Sequence, residues 1–531
     1  MSNSGLEDPS PQGGRRASRF FAGVLWNWVG VALNIAIGLL LSPYFIRKLG
    51  PERYGIWVLV FTLVDYLWFF DLGFNTSVTQ FVAKYRARNE PDQINRVINT
   101  VLVYFCCVAI VFALATLLVA WRGVALFKIA DPLNREDFRI VILIVGLGWA
   151  INFPLHFFSS CLDAFQRYDH LTRTLVAQLL IRSTGYAMLL YFGFGLKELG
   201  VVTVGAQLVG NTLALLAFRS VFPEMRLSSL YVKFALVKEM WSYGVHSFVA
   251  NISNLLLNQG APLMIGHFRN ASFVGYYTFP SRMLGYSVEA VTKIGFVTRS
   301  NVVEMQAKGD EKAVYSLGIH LNRYCVTLFL PLVIFLLEYG TELIRRWVDK
   351  GSTEYSTACG PLLPVIALST MFAIAGQFNS TSMLYGLSRH DRMARGLLLE
   401  AVLGIVGIWL VLPHYGILGV AWVVGMLSVL NRGLYVPWLV CHALKSSFLG
   451  YMRGIYARPV LTAIPVLLLV HALKAAGVSG RTWPQLILMG AFTCAAFFLP
   501  AFFTCVTPEH RKLMLHSLAG RLFRRKVETG A

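Results

Sequence analysis

Apolar runs of membrane length recur from one end of this chain to the other. A helix needs roughly 20 apolar residues to cross a bilayer core, and such runs fall at 20–46, 55–80, 97–121, 138–162, 174–195, 199–219, 241–266, 274–298, 322–344, 361–387, 394–412, 416–440, 458–475 and 484–506. They predict an all-α polytopic membrane protein of about 14 transmembrane helices. The composition agrees: 56% of the 531 residues are hydrophobic, 13% aromatic and only 14% charged, with a mean hydropathy of +0.59.

An even number of spans returns both ends to one side, and the excess of Lys and Arg identifies that side as cytoplasmic. The excess is clearest in Lys84, Arg86 and Arg88, in Arg389, Arg392 and Arg395, and in the tail from Arg511 to Lys526. The corner Arg47-Lys48…Arg53 runs against the rule, so its basicity is either functional or interfacial. Arg15-Arg16 has the look of a twin-arginine signal. The long apolar run behind it has no small-residue cleavage site, which predicts an uncleaved first helix.

The net charge of +20 has three readings: orientation in the membrane, attraction to anionic headgroups, or a polyanionic substrate. Nucleic acid is excluded as a partner, because the basic residues fall at span ends and no soluble domain presents them. The eight cysteines lack CxxC or CxxH spacing, so neither a metal site, a disulfide framework nor a cofactor is expected. The two largest outer loops, 122–138 and 338–360, are too short to present a catalytic domain, which weighs against a membrane glycosyltransferase, polymerase or ligase.

The spans group as a cytoplasmic tail (1–19), a six-helix N-lobe (20–222), a connector (223–240), a six-helix C-lobe (241–440), an appended helix pair (441–506) and a basic cytoplasmic tail (507–531). Six is even, so the lobes are parallel repeats, an arrangement suited to rocking about a central site. A repeat is visible in the residues. Asn34 precedes Gly55 by the same distance as Asn254 precedes Gly275, and Tyr66 and Tyr286 follow their glycines equally; Pro43 pairs with Pro262 after one extra loop residue. Gly50-Pro51 ends the first helix and turns the chain into an antiparallel neighbour.

Ionisable side chains inside the bilayer are costly and usually line pathways. Arg182 falls mid-span in helix five. Arg282, Tyr286, Glu289 and Lys293 follow one face of helix eight, with Glu289 and Lys293 spaced for an i, i+4 pair. Asp65 and Asp71 lie in helix two. They suit pairing across lobes or binding of a proton or sodium ion, and Asp71 equally suits capping of a helix break at Leu72-Gly73. Helix seven carries Asn251, Asn254, Asn258 and Gln259, and helix ten Gln377, Asn379, Ser380, Thr381 and Ser382. Such amides and hydroxyls serve either helix packing or hydroxyl-rich ligands, as does Asn34.

The motif Asn34…Ser42-Pro43…Leu49-Gly50-Pro51-Glu52-Arg53-Tyr54-Gly55-Ile56-Trp57, followed by Asp71-Leu72-Gly73-Phe74, resembles Wzx-type oligosaccharide flippases of the polysaccharide transporter family, related to the multidrug/toxin extrusion exporters and MurJ. The resemblance implies translocation of an undecaprenyl-diphosphate-linked oligosaccharide, such as an O-antigen or exopolysaccharide repeat unit, across the bacterial inner membrane by alternating access. It further implies that Arg182, Arg282 and Lys293 meet the diphosphate, that Asn34, Asn254 and Asn258 meet the glycan, and that Asp65, Asp71 and Glu289 serve ion coupling or lobe pairing. In MurJ-like proteins the additional helix pair carries a groove for the lipid tail. Membrane lipids, a polysaccharide polymerase and a chain-length regulator are the partners to expect. A cation-coupled multidrug exporter is the alternative on the same fold.

Overall fold

The computed structural model describes residues 11–129, 131–292, 302, 304–306, 308–349, 352–387, 389 and 391–512. Among these, every regular element is a helix, and nine helices are long and apolar enough to span a membrane. Two of the nine hold two spans each, broken at Gly50 and at Gly416. Three more expected spans are helices too polar for that count: α6 (Tyr168–Tyr191), α8 (Phe234–Phe268) and α9 (Ala271–Thr292). The chain is thus an all-α polytopic membrane protein with about fourteen membrane-crossing segments.

It divides into two compact units, Met1–Gly275 and Tyr276–Ala531. The first takes in α8, which the sequence reading groups with the second lobe. Here α1 (Pro11–Leu67), α2 (Phe74–Ala87), α3 (Pro91–Leu126), α4 (Pro132–His156), α5 (Phe158–Ala164), α6, α7 (Leu196–Val221) and α8 pack together, with α8 lying against α1, α2 and α3. Aromatic side chains fill the centre: Phe105 meets Phe153 edge to face at 5.1 Å, and Phe158 and Phe218 are fully buried beside them. The most apolar helix, α3, buries only 28% of its apolar stretch inside the protein, as expected where lipid takes the place of water.

Local chemistry sets the helix starts. Asp131 accepts from the Leu133 N–H with Pro132 behind it, Asp310 from Ala313, Ser447 from Gly450 and Thr482 from Gln485. Gly50 turns the first corner at φ 79°, ψ 169°, a region open almost only to glycine. Past the corner, Arg53 Nε reaches Asn134 Oδ1 at 3.3 Å and Asp137 at 3.6 Å, and Lys197 reaches the same Asp137 at 3.5 Å. Part of the basicity at this corner therefore ties the corner to α4; such exposed pairs contribute about 1 kcal/mol at most.

The second break interrupts helix two. A 3-10 turn, Trp68–Asp71, gives way to Leu72 and Gly73 in left-handed backbone before α2 begins. Gly73 lies against α8 backbone to backbone: a Cβ there would stand 2.4 Å from the Gly244 carbonyl oxygen. One turn on, Ser77 Oγ donates to Met240 O at 2.8 Å.

In the second unit α10 (Glu311–Trp347) is the central helix, packed by α12 (Leu362–Ala375), α16 (Phe448–Ala475) and α17 (Trp483–Thr504); α11 (Glu354–Cys359) leads into α12. Two π-helical turns face each other. Gly376–Ser380 separates α12 from α13 (Thr381–Gly386), and Val429–Tyr435 separates α14 (Asp391–Ser428) from α15 (Val436–Ala443). A Cβ on Gly376 would stand 1.7 Å from the Arg432 carbonyl oxygen. Beneath this contact the buried Glu400 carboxylate takes Asn431 Nδ2 at 2.6 Å and Arg432 Nε at 3.1 Å. The polar run of helix ten is absorbed in the same packing. Asn379 donates to Cys325 Sγ, and Ser380 receives Asn322 Nδ2 at 3.2 Å, which also reaches Tyr451 OH at 3.0 Å.

Two outcomes are expected of thermal unfolding in detergent. Gly73→Ala, with a strained φ and a backbone clash, should lose more than Gly50→Ala, whose new Cβ meets nothing within 4 Å and which should lose only about 1–3 kcal/mol of strain energy. Glu400→Gln strands the Arg432 charge and should lose about 3–5 kcal/mol, whereas replacing Glu400 and Arg432 together by leucine should restore most of it.

Candidate functional site

The helix break and α8 enclose a cavity of about 360 Å³ within the first unit. From the break come Asp65, Trp68, Phe69, Asp71, Leu72 and Gly73; from α8 come Phe248, Asn251, Ile252, Asn254, Leu255, Asn258 and Gln259. The α8 residues recur at intervals of three and four, so one helical face carries them all. The 3-10 turn and the positive-φ pair withdraw the helix-two backbone from its ladder, which is tolerated at membrane depth only where the backbone lines a cavity or finds other partners. Tyr104 OH supplies one such partner, donating to Phe70 O at 3.0 Å.

Each carboxylate is fixed by an amide. Gln259 Nε2 donates to Asp65 Oδ2 at 2.7 Å, and Thr62 Oγ1 donates to Gln259 Oε1 at 3.1 Å, so a three-residue chain joins α1 to α8. The Asn75 backbone N–H donates to Asp71 Oδ1 at 3.4 Å, the Asn75 side-chain amide donates to the same oxygen, and Ser160 Oγ holds Asn75 Oδ1 at 3.0 Å. Asp71 thus caps the restarted helix and still lines the cavity. Asn258 Nδ2 donates to Asn254 O at 2.8 Å, and both residues line the cavity. Among the described residues, no Lys, Arg or His lines it. With two carboxylates and three asparagines, the cavity offers oxygen ligands to a cation.

Of the residues singled out in the sequence, Asp65, Asp71, Asn254 and Asn258 share this cavity. Asn34 on α1 and Arg182 on α6 belong to the same unit, are half-exposed and do not line it. Arg282 and Glu289 lie on α9 in the second unit, Arg282 exposed and Glu289 half-buried. Lys293 lies outside the described residues. Thr62, Asn75 and Ser160, which orient the carboxylates, escaped the sequence reading because small polar residues in a span look like ordinary packing. Glu400 and Arg432 escaped it as well, though a Glu inside LLLEAVLG and an Arg inside VLNRGLY are visible as intramembrane charges.

Between α16 and α17, the helix pair that follows the second set of spans, a second cavity of about 540 Å³ is lined by Leu461, Pro465, Leu469, Ala496 and Pro500, with Arg458, Thr462 and Thr504 at one end. It is an apolar groove with a single cationic end.

The family described as polysaccharide biosynthesis protein matches residues 20–295. A putative O-antigen transporter of Shigella flexneri is 21% identical over 423 residues, covering 78% of this chain and 96% of its own length. Among solved structures, the lipid II flippase MurJ in its inward closed conformation gives a TM-score of 0.67 at 9% identity, over 91% of this chain and 98% of that one. An inward-facing multidrug resistance MATE family transporter of the MOP superfamily gives 0.59 at 14% identity, over 79% and 96%. With more than half its length matched and the fold of those transporters, the chain belongs to the polysaccharide biosynthesis protein family.

Proposed function

We propose that this protein is a flippase that carries an undecaprenyl-diphosphate-linked oligosaccharide from the cytoplasmic to the periplasmic leaflet of a bacterial inner membrane by alternating access, with both termini in the cytoplasm. Family membership and the Shigella relative's description as a putative O-antigen transporter support the substrate class. The observation that carries a transport function is the cavity at the break in helix two, where two carboxylates and a row of asparagines stand together at membrane depth. Such groups are expensive in hydrocarbon and are retained where something passes or binds.

In this reading Asp65 and Asp71 hold a proton or sodium ion whose movement drives the cycle. Asn254 and Asn258, facing the same acids, serve that cation as well as glycan hydroxyls, and Asn34 serves the glycan. A diphosphate crossing hydrocarbon unaided would meet a barrier on the order of tens of kcal/mol, so Arg182, Arg282 and Lys293 supply its countercharge, with Glu289 setting the position of Lys293. The polyprenyl tail stays in lipid along the groove of α16 and α17. A polymerase and a chain-length regulator would receive the product. The second reading, a cation-coupled drug exporter, is favoured by the absence of basic residues among the described residues of the cavity lining, which suits an organic cation.

The test is surface glycan display in a host lacking its own transporter. Asp71→Asn should lower display at least tenfold at unchanged membrane abundance, and Arg282→Ala should abolish it. Full display by both variants, or altered drug susceptibility with no glycan phenotype, would overturn the flippase reading.

A further inference from the structure

Two basic connectors, about 50 residues apart in the chain, converge in the second unit. The segment after α13 brings Arg389 and Arg392, the turn after α15 brings Lys445, and together with His442 they border a cavity of about 600 Å³. Among its described lining residues Asp391 is the one carboxylate. Among the described residues no carboxylate lies within ion-pair distance of Arg389, Arg392 or Lys445. Orientation by positive charge needs basic residues on one side of the membrane; it does not need them gathered round one concavity.

The cavity also has a flat aromatic wall. Trp438 and His442 stack there with ring centroids 5.3 Å apart and an interplanar angle of 11°, and Tyr435, beyond the lining, extends the ladder at 6.0 Å and 21°. Tyr and Trp concentrate at the depth where hydrocarbon meets headgroups, so the ladder marks that depth and the cations lie beyond it. Leading toward it along α14 and the π-turn, Trp422, Met426, Leu430 and Leu434 are all exposed at intervals of four residues, an apolar stripe on one helical face. Lys445 itself is held at φ 48°, in the left-handed position after a helix where glycine is usual; the backbone amide of Ser446 then closes the helix end on Cys441 O at 2.9 Å. A charged side chain is thus kept at the lip of the cavity against backbone preference.

We propose that this cavity binds a phosphate-bearing anion, with an anionic phospholipid headgroup as its source: phosphate among Arg389, Arg392 and Lys445, the glycerol region against the Trp438–His442 wall, and an acyl chain along the stripe. The site is independent of which substrate the transporter carries. It matches the size of small-ligand pockets, and each Lys or Arg at an anionic interface is worth about fivefold in affinity.

The experiment uses the full chain in neutral detergent, following the thermal midpoint while titrating phosphatidylglycerol, phosphatidylcholine or inorganic pyrophosphate. Stabilisation by phosphatidylglycerol and not by phosphatidylcholine is expected. The double variant Arg392→Gln/Lys445→Gln should need roughly 25-fold more phosphatidylglycerol for the same shift. Lys445→Gly should lose about fivefold while its lipid-free midpoint holds or rises, since the backbone strain is relieved; this separates binding from folding. Stabilisation by pyrophosphate as well, lost in the same variants, supports the phosphate site and assigns it to free phosphate chemistry. Equal responses to both phospholipids, or an unchanged titration in the double variant, would overturn the proposal.

Discussion

A backbone amide or carbonyl in hydrocarbon has no water to fall back on, and this constraint governs the molecule. Most of the chain meets it by being helix. Where the helix fails, other groups take over: Tyr104 covers the Phe70 carbonyl, Asp71 caps α2, and the two π-turns of the second unit lie against each other so closely that Gly376 has room for no side chain. Each failure of the ladder is accompanied by polar side chains that would be unwelcome elsewhere in the span. Irregular backbone and intramembrane chemistry therefore occur together, because either alone would leave groups unsatisfied.

The two units answer the constraint differently. In the first, the break opens onto a cavity whose carboxylates are oriented by Gln259 and Asn75. In the second, polar groups turn onto one another: Glu400 takes both Asn431 and Arg432, and Asn322 Nδ2 reaches both Ser380 and Tyr451. One unit carries a site at its irregular turn and the other a lock. The same residue types serve both, and the difference is whether they border a cavity or turn onto one another.

Much of this was legible in the order of residues. The spans follow from hydropathy, because membrane thickness fixes how many apolar residues a helix must present. The corner at Gly50-Pro51 and the break after Asp71 follow from the conformations that only glycine readily adopts. Asp65, Asp71, Asn254 and Asn258 stood out as polar groups in apolar runs. What did not follow was which of them meet. Asn34 aligns with Asn254 in the repeat yet lines no part of the cavity that Asn254 shares with Asp65. The supporting residues Thr62, Asn75 and Ser160 have no sequence signature, since a hydroxyl or amide bonded to its own helix reads the same as one bonded to a neighbour.

The sequence by itself determined that the chain is a helical membrane protein, where it turns, and which side chains are too polar to face lipid. These depend on local propensity and on transfer from water to hydrocarbon, which act residue by residue. Only the tertiary structure decided that Asp65 and Asp71 face the amides of α8, that Glu400 pairs with Arg432, and that two basic connectors border one cavity. Those residues lie from about 30 to nearly 200 positions apart, and helix packing alone brings them together.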